Sequence, residues 1–294
     1  MTTYRLPPPI EKGNMLRRVR RAAKFYWHCA QHRQALDSLC DWLVTHPLEG
    51  NYFRQDSRPA YYTIRDGYLH RACPTAQGLQ YFFKDLDFIR EFCNDHSLSH
   101  PFEQPLLLYT FDSGFTLTLA LNPINGNEGI LALVLNDEEG RLCYLLSFCL
   151  SLAEDTFTVV TVQGRKSQTE LTKALTKQCY GLRTPMLMLE CGLILAALFN
   201  KPRILAVRDS VQMAVVKRGK QKKSGKVIVK DYDQMYEEFS AGELKIIDEQ
   251  YCQLLSRRKS AEEVPTRKRA LYRKRYALLD EIKASFRQHL NLSP

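Results

Sequence analysis

Two groups of residues in this 294-residue chain have the types and spacing to do chemistry. The first is Gln163-Gly164-Arg165-Lys166-Ser167, which lies between an apolar β-branched run and a segment of helical periodicity. The first turn of a helix presents unpaired N–H groups that suit an anion. Gly164 permits close backbone approach, and Arg165 and Lys166 add positive charge. This turn is therefore a candidate site for the diphosphate of a cofactor, although a purely structural strand-to-helix turn would use the same residues. The second is Glu190, a single carboxylate inside the apolar run Met186–Phe199. Burying it unpaired would be costly, so Arg183 or one of the arginines at 267–275 is expected to pair with it. Such a carboxylate, if it lines a cleft, is a candidate general base; structural pairing is the alternative. His28, Cys29 and His32 place two imidazoles one helical turn apart, but no second pair completes a ligand set, and no metal site is expected. Elbow, zinc-protease, Walker and dinucleotide fingerprints are absent from the sequence.

Charge singles out a third group. The chain carries 42 Lys+Arg against 32 Asp+Glu, a formal net charge of +10. Residues 1–150 are close to neutral, so the excess belongs to the second half. Lys217, Arg218, Lys220, Lys222, Lys223 and Lys226 crowd one short segment, and Arg267, Arg269 and Arg273 fall in another. Such density suits an acidic carrier protein, a nucleic acid or an anionic lipid surface, and equally a solvated face. The segment lacks an aromatic before Tyr232, and base stacking needs interleaved aromatics.

The elements that must position these residues are readable from periodicity. Met15 to Val44 reads as one long helix, with Leu16, Val19, Ala23, Tyr26 and Ala30 at three- and four-residue steps and a basic opposite side. A basic amphipathic helix either docks on the protein's own core or lies on an anionic membrane; the core is the commoner destination. Residues 46–74, with Pro47, Gly50, Pro59, Gly67 and Pro74, read as irregular. A second helix starts at Thr75. After Pro105 the texture changes to short β-branched, aromatic and Leu runs: Leu106–Phe111, Phe115–Leu121, Ile130–Leu135, Leu142–Leu150 and Thr156–Val162. Turn residues separate them, which predicts an antiparallel meander. Thr116, Thr118, Thr158 and Thr161 alternate with apolar neighbours, which predicts one wetter face. A helix from Gln168, a second from Met186 to Phe199, a strand at Arg203–Arg208, a helix at Tyr232–Phe239 and a final amphipathic helix at Thr266–Leu290 complete the chain. Gln250–Leu255 suits helix or strand.

The fold class expected is therefore α+β, with a helical N-terminal region over residues 1–100 and an α+β body over 101–294 forming one compact unit. The order of meander, glycine turn, long helix, strand, short helix and last strand resembles GNAT-type acyltransferases. Those enzymes hold the pyrophosphate of coenzyme A at the corresponding turn. By that resemblance Gln163, Gly164, Arg165, Lys166 and Ser167 are cofactor-binding, and acyl-CoA or acyl carrier protein is the donor. The usual GNAT turn carries two small residues, and here Gly164 stands alone.

Compartment follows from simpler signals. The start of the chain lacks a secretory h-region, and the longest apolar run is short of a bilayer crossing. Nine cysteines, an odd number without a C-x-x-C pair, suit reduced thiols in the cytoplasm.

A second resemblance rests on Gln163-Gly164, Thr176-Lys177, Gly181-Leu182-Arg183, Leu187-Met188-Leu189-Glu190, Ile204-Leu205-Ala206-Val207, Asp231-Tyr232-Asp233 and, above all, the stretch from Glu262 through Arg267-Lys268-Arg269, Tyr272-Arg273-Lys274-Arg275 to Asp280. These residues resemble the VirK/YbjX family of bacterial proteins. The resemblance implies a cytoplasmic protein, peripheral to the inner membrane at most, and a link to virulence and to resistance against cationic antimicrobial peptides. It implies no reaction and transfers no catalytic residue.

Overall fold

In a computed structural model, the described residues are 5–8, 14–165, 169–213, 231–255, 258–260 and 262–293. The predicted long first helix divides into α1 (Met15–Gln31) and α2 (Arg33–Thr45), because His32 at φ −114°, ψ 35° leaves the helical region. The segment read as irregular instead forms α3 (Pro47–Gln55) and α4 (Arg58–Asp66). Its prolines are initiators: Pro47 and Pro59 occupy the first turn, where a missing N–H costs nothing. The long α5 (Thr75–Asp95) follows.

The meander forms as the turn spacing predicts. Strands β1 (Leu106–Thr110), β2 (Thr116–Leu121), β3 (Leu131–Asn136), β4 (Leu142–Cys149) and β5 (Thr156–Gly164) pair antiparallel in chain order. Helices α6 (Thr169–Gln178) and α7 (Thr184–Leu198) then cross over to β6 (Arg203–Val207), which pairs parallel with β5. After α8 (Tyr232–Phe239), a short hairpin of β7 (Lys245–Ile246) and β8 (Tyr251–Gln253) adds to the edge. The eight-stranded order is β1-β2-β3-β4-β5-β6-β8-β7. The last helix is α9 (Arg269–His289), entered through a single 3₁₀ turn at Thr266–Lys268.

Alternation along β4 separates two layers. Leu146 points at α7, where a Cβ on Gly192 would come within 3.1 Å of it. The α7 helix is apolar on nearly all sides, as a helix packed between sheet and neighbours must be. Helix α9 lies in the same layer, where Ser285 Oγ donates to Leu108 O and Tyr109 Oη to Glu281. Ser147, one residue on, points to the layer containing α4 and the loop 125–129. The expected wetter face is not wet: Thr158 and Thr161 are fully buried there under the N-terminal helices, and only Thr116 and Thr118 are partly exposed. One apolar cluster runs from Phe25, Leu39 and Phe53 through the sheet to Phe286.

The first helix departs from the expectation that its apolar side docks. Phe25 is buried at 2% exposure against Tyr61, whereas Met15, Leu16, Val19, Tyr26 and Trp27 are all exposed.

Candidate functional site

The site is built where the parallel pairing ends. β5 and β6 are in register from Thr156↔Arg203 to Val159↔Ala206; β6 then ends at Val207 while β5 runs on to Gly164. On its other edge β5 slips by one residue against β4, since Ser147 faces Thr161 but Phe148 faces Val159. Val160 is the extra residue of this bulge, which bends the strand and re-aims its neighbours. The fully buried Gln212 enters the opening: its Nε2 donates to Val160 O and, at 3.3 Å, to Val207 O.

Beside the bulge lies a buried carboxylate that periodicity gave no reason to single out. Glu128 is 1% exposed in the loop between β2 and β3. Asn125 Nδ2 donates to its Oε2 at 3.1 Å, and Gln163 Nε2 reaches the same oxygen at 3.4 Å. Ser147 Oγ donates to the Glu128 carbonyl and lies 3.0 Å from Thr161 Oγ1. These donors are what a carboxylate removed from water requires. The loop is fixed by Asn122, whose Oδ1 accepts from Ile124 N and Asn125 N and whose Nδ2 donates to Asn125 O and Gly129 O. Gly129 has φ +90°, and a Cβ there would meet Phe148 O at 2.8 Å, so only glycine fits. The one sequence signal was the turn-rich Asn122–Gly129 segment itself.

A second polar group lies under the same layer. His70 Nε2 is 2.8 Å from Tyr251 Oη, and burial pushes the imidazole down to about 4 against the opposing effect of Asp248. It is neutral at pH 7. Asp85, wholly buried, accepts from Tyr68 Oη at 2.5 Å and Leu150 N at 2.7 Å; burial nonetheless raises it to about 6. Asp209, just after β6, accepts from Tyr232 N at the start of α8 at 2.8 Å and is also raised to about 6, by burial and then by the neighbouring Asp231.

The predicted site residues are placed as follows. Gln163 is half-buried and engages Glu128. Gly164 is occupied from above by a protein group, because a Cβ there would lie 2.2 Å from Tyr144 Cε2. Arg165 is exposed, and its N–H continues the ladder to Cys143 O at 3.0 Å. Lys166 and Ser167 lie outside the described residues, as do Lys217, Arg218, Lys220, Lys222, Lys223 and Lys226. Arg267, Arg269 and Arg273 are exposed along α9 and the turn before it; Arg269 Nε donates to Val264 O at 3.2 Å. Among the described residues no hydrogen bond or ion pair joins these three to the Gly164 turn. Glu190 is half-buried on α7, on the opposite face of the sheet from Glu128. Its expected partner Arg183 pairs instead with Glu238, because Arg183 precedes α7 and extends towards α8. Arg258 is kept charged first by its hydrogen-bonded ion pair with Asp280, and lies close enough to Glu190 for that carboxylate to add to the effect. Among the described residues no group of three or more His, Cys, Asp or Glu side chains could hold a metal ion. All nine cysteines are free.

An α+β protein with a largely antiparallel sheet and one parallel crossover is the class these observations define. The chain belongs to the family described as Protein of unknown function (DUF535), the VirK/YbjX family, whose model matches residues 14–288. An "Uncharacterized protein" of Haemophilus influenzae is 33% identical over 201 residues, covering 67% of this chain and 65% of that protein. A second from the same organism is 26% identical over 297 residues, covering 97% and 96%. The "Membrane protein LapB" of Mannheimia haemolytica is 29% identical over 164 residues, covering 53% of this chain and 70% of LapB. No solved structure matches. Among the described residues no helix is long and apolar enough to cross a membrane.

Proposed function

We propose that this chain is an acyltransferase on a GNAT-like sheet, taking its acyl group from acyl-CoA or acyl carrier protein. One observation carries the reading: the meander is followed by a single parallel pair, β5 and β6, in register as far as Val159 and Ala206, with the β8 strand inserted between β6 and β7. The GNAT-type acyltransferases that this order of elements resembles hold the pyrophosphate of coenzyme A at the turn from strand to helix. Here the carbonyls of Val160 and Val207 are occupied by the chain's own buried Gln212 amide, which a donor would have to displace to reach them. The diphosphate would lie at Gln163–Ser167, and the anionic carrier would meet the basic second half of the chain.

Transfer of an acyl group to an amine needs a base for the ammonium proton. Glu128, beside the bulge and oriented by Asn125 and Gln163, replaces Glu190 as the candidate, because Glu190 is on the other face of the sheet. The cellular setting proposed is the one the family resemblance implies, a cytoplasmic activity in virulence and antimicrobial-peptide resistance.

Calorimetric titration with acyl-CoA and with acylated carrier protein tests the reading. Binding by one of them, with Glu128→Gln retaining binding and losing turnover, is expected. Absence of binding by both at high concentration removes it.

A second reading treats the chain as a binding module for nucleic acid or an anionic surface. Its support is the exposure of Arg267, Arg269 and Arg273 on one terminal segment. Such binding falls steeply with salt, and salt-insensitive or undetectable gel shifts would count against it.

A further inference from the structure

Helix α1 is docked with its apolar side outward. Towards the protein it presents Phe25, buried against Tyr61 with ring centroids 4.9 Å apart, and the half-buried Arg21, Ala22, His28 and Cys29. Those positions recur at three- and four-residue steps and form one stripe. A different stripe carries Met15, Val19, Tyr26 and Ala30 with Leu16, Ala23 and Trp27, and every one of these is exposed, Met15 and Leu16 at 81%. A helix stabilised only by the protein's own core would present these stripes the other way round.

The charge around this face identifies what covers it. Arg17, Arg18, Arg20, Arg21 and Lys24 fall within α1, and no acidic residue occurs between Glu11 and Asp37. Arg18, Arg20 and Lys24 are exposed. Between α1 and α4 runs an open trough of about 760 Å³, whose lining includes the cations Arg18, Arg21, Lys24 and Arg65 together with Val19 and Phe25. Apolar side chains flanked by cations, with a Trp and a Tyr among them, match a bilayer interface, where rings lie at headgroup level and arginines meet lipid phosphate. A protein partner of ordinary composition would not call for five cations within eight residues and no acidic residue among them.

We propose that α1 is a membrane-surface helix, which lays Met15, Leu16, Val19, Tyr26 and Trp27 into an anionic bilayer with lipid phosphates held by the exposed Arg18, Arg20 and Lys24. The helix lies on the membrane and does not cross it. The proposal does not rest on the transferase reading and fails or survives separately from it.

The full-length protein is floated with vesicles of phosphatidylcholine alone and of phosphatidylcholine with one third phosphatidylglycerol. Only two tryptophans are present, so Trp42→Phe leaves Trp27 as the single reporter. Flotation with the anionic vesicles, accompanied by a blue shift of Trp27 fluorescence, is expected. Val19→Glu should lower the bound fraction about tenfold or more, and Arg20→Glu with Lys24→Glu should abolish the preference for anionic lipid. Both changes are at exposed positions, so thermal melts should match the parent. Absence of flotation, equal flotation with neutral vesicles, or undiminished binding by Val19→Glu would each overturn the proposal. So would sedimentation showing a dimer that Val19→Glu dissociates, because a second copy of the chain would then cover the face.

Discussion

The ring of Tyr144 lies over Gly164 across the β4–β5 ladder, where the two residues are direct partners. A side chain on Gly164 would put its Cβ 2.2 Å from Cε2 and 2.7 Å from Cδ2 of that ring. The glycine at the head of the candidate cofactor turn is thus required by its own neighbour before any ligand arrives. Gly164→Ala should destabilise the fold by about 1–3 kcal/mol through forced displacement of the ring. In a Tyr144→Ala background the same change should be close to neutral. Urea denaturation of the four proteins in this cycle measures the coupling; equal costs in both backgrounds would show that the ring is not the cause.

Gln212 makes a comparable contact at the other side of β5. Its amide nitrogen donates to the carbonyl oxygens of both Val160 and Val207. Gln212→Ala leaves both oxygens buried without it and should cost about 1–3 kcal/mol. Gln212→Glu should cost more, since a carboxylate would then face two carbonyl oxygens. Thermal and urea denaturation at pH 7 order the three proteins.

Asp85 sets a slope of stability with pH. Burial raises its folded value to about 6 from 3.8, outweighing the bonds from Tyr68 and Leu150 N. The folded state therefore favours the protonated acid. Its contribution is complete below about 3.8 and is lost as pH rises to about 6, a loss of the order of 3 kcal/mol. Asp85→Asn should remove this part of the slope. Urea midpoints at closely spaced pH values, parent against variant, give the difference.

His70 acts in the opposite direction. Burial lowers its folded value to about 4 from 6.5, so the neutral ring is the folded form. Its contribution is complete above about 6.5 and is lost as pH falls towards 4, again on the order of 3 kcal/mol. The His70 Cε1–H resonance should titrate near 4. His70→Gln should flatten the acid limb of stability without moving the Asp85 limb.

The carboxylate site has its own stability signature. Glu128→Ala withdraws the acceptor shared by Asn125 and Gln163 and should cost about 1–3 kcal/mol. Glu190→Ala, on the opposite face and half-exposed, should leave Asn125 and Gln163 undisturbed. Amide side-chain resonances of Asn125 and Gln163 distinguish the two variants.

Local signals determined much of this molecule. The five-strand meander follows from turn residues spaced between β-branched and aromatic runs, because a short turn leaves successive strands little choice but to pair. The limits of α8 at Tyr232–Phe239 follow from Asp231, which caps Gln234 N, and α7 from an apolar run interrupted only by Glu190 and Gly192. Prolines misled where they begin helices, as Pro47 and Pro59 do: the ring that breaks a helix interior is harmless in the first turn. Only the tertiary structure decided the rest. Glu128 became a site because Asn125, Ser147, Thr161 and Gln163 converge on its loop from three segments of chain, and spacing along one segment carries no record of such convergence. Arg183 chose Glu238 over Glu190 for the same reason. The amphipathic pattern of α1 was written in its residues, but which side meets the protein depended on Tyr61 receiving Phe25, and that contact turned the apolar stripe outward.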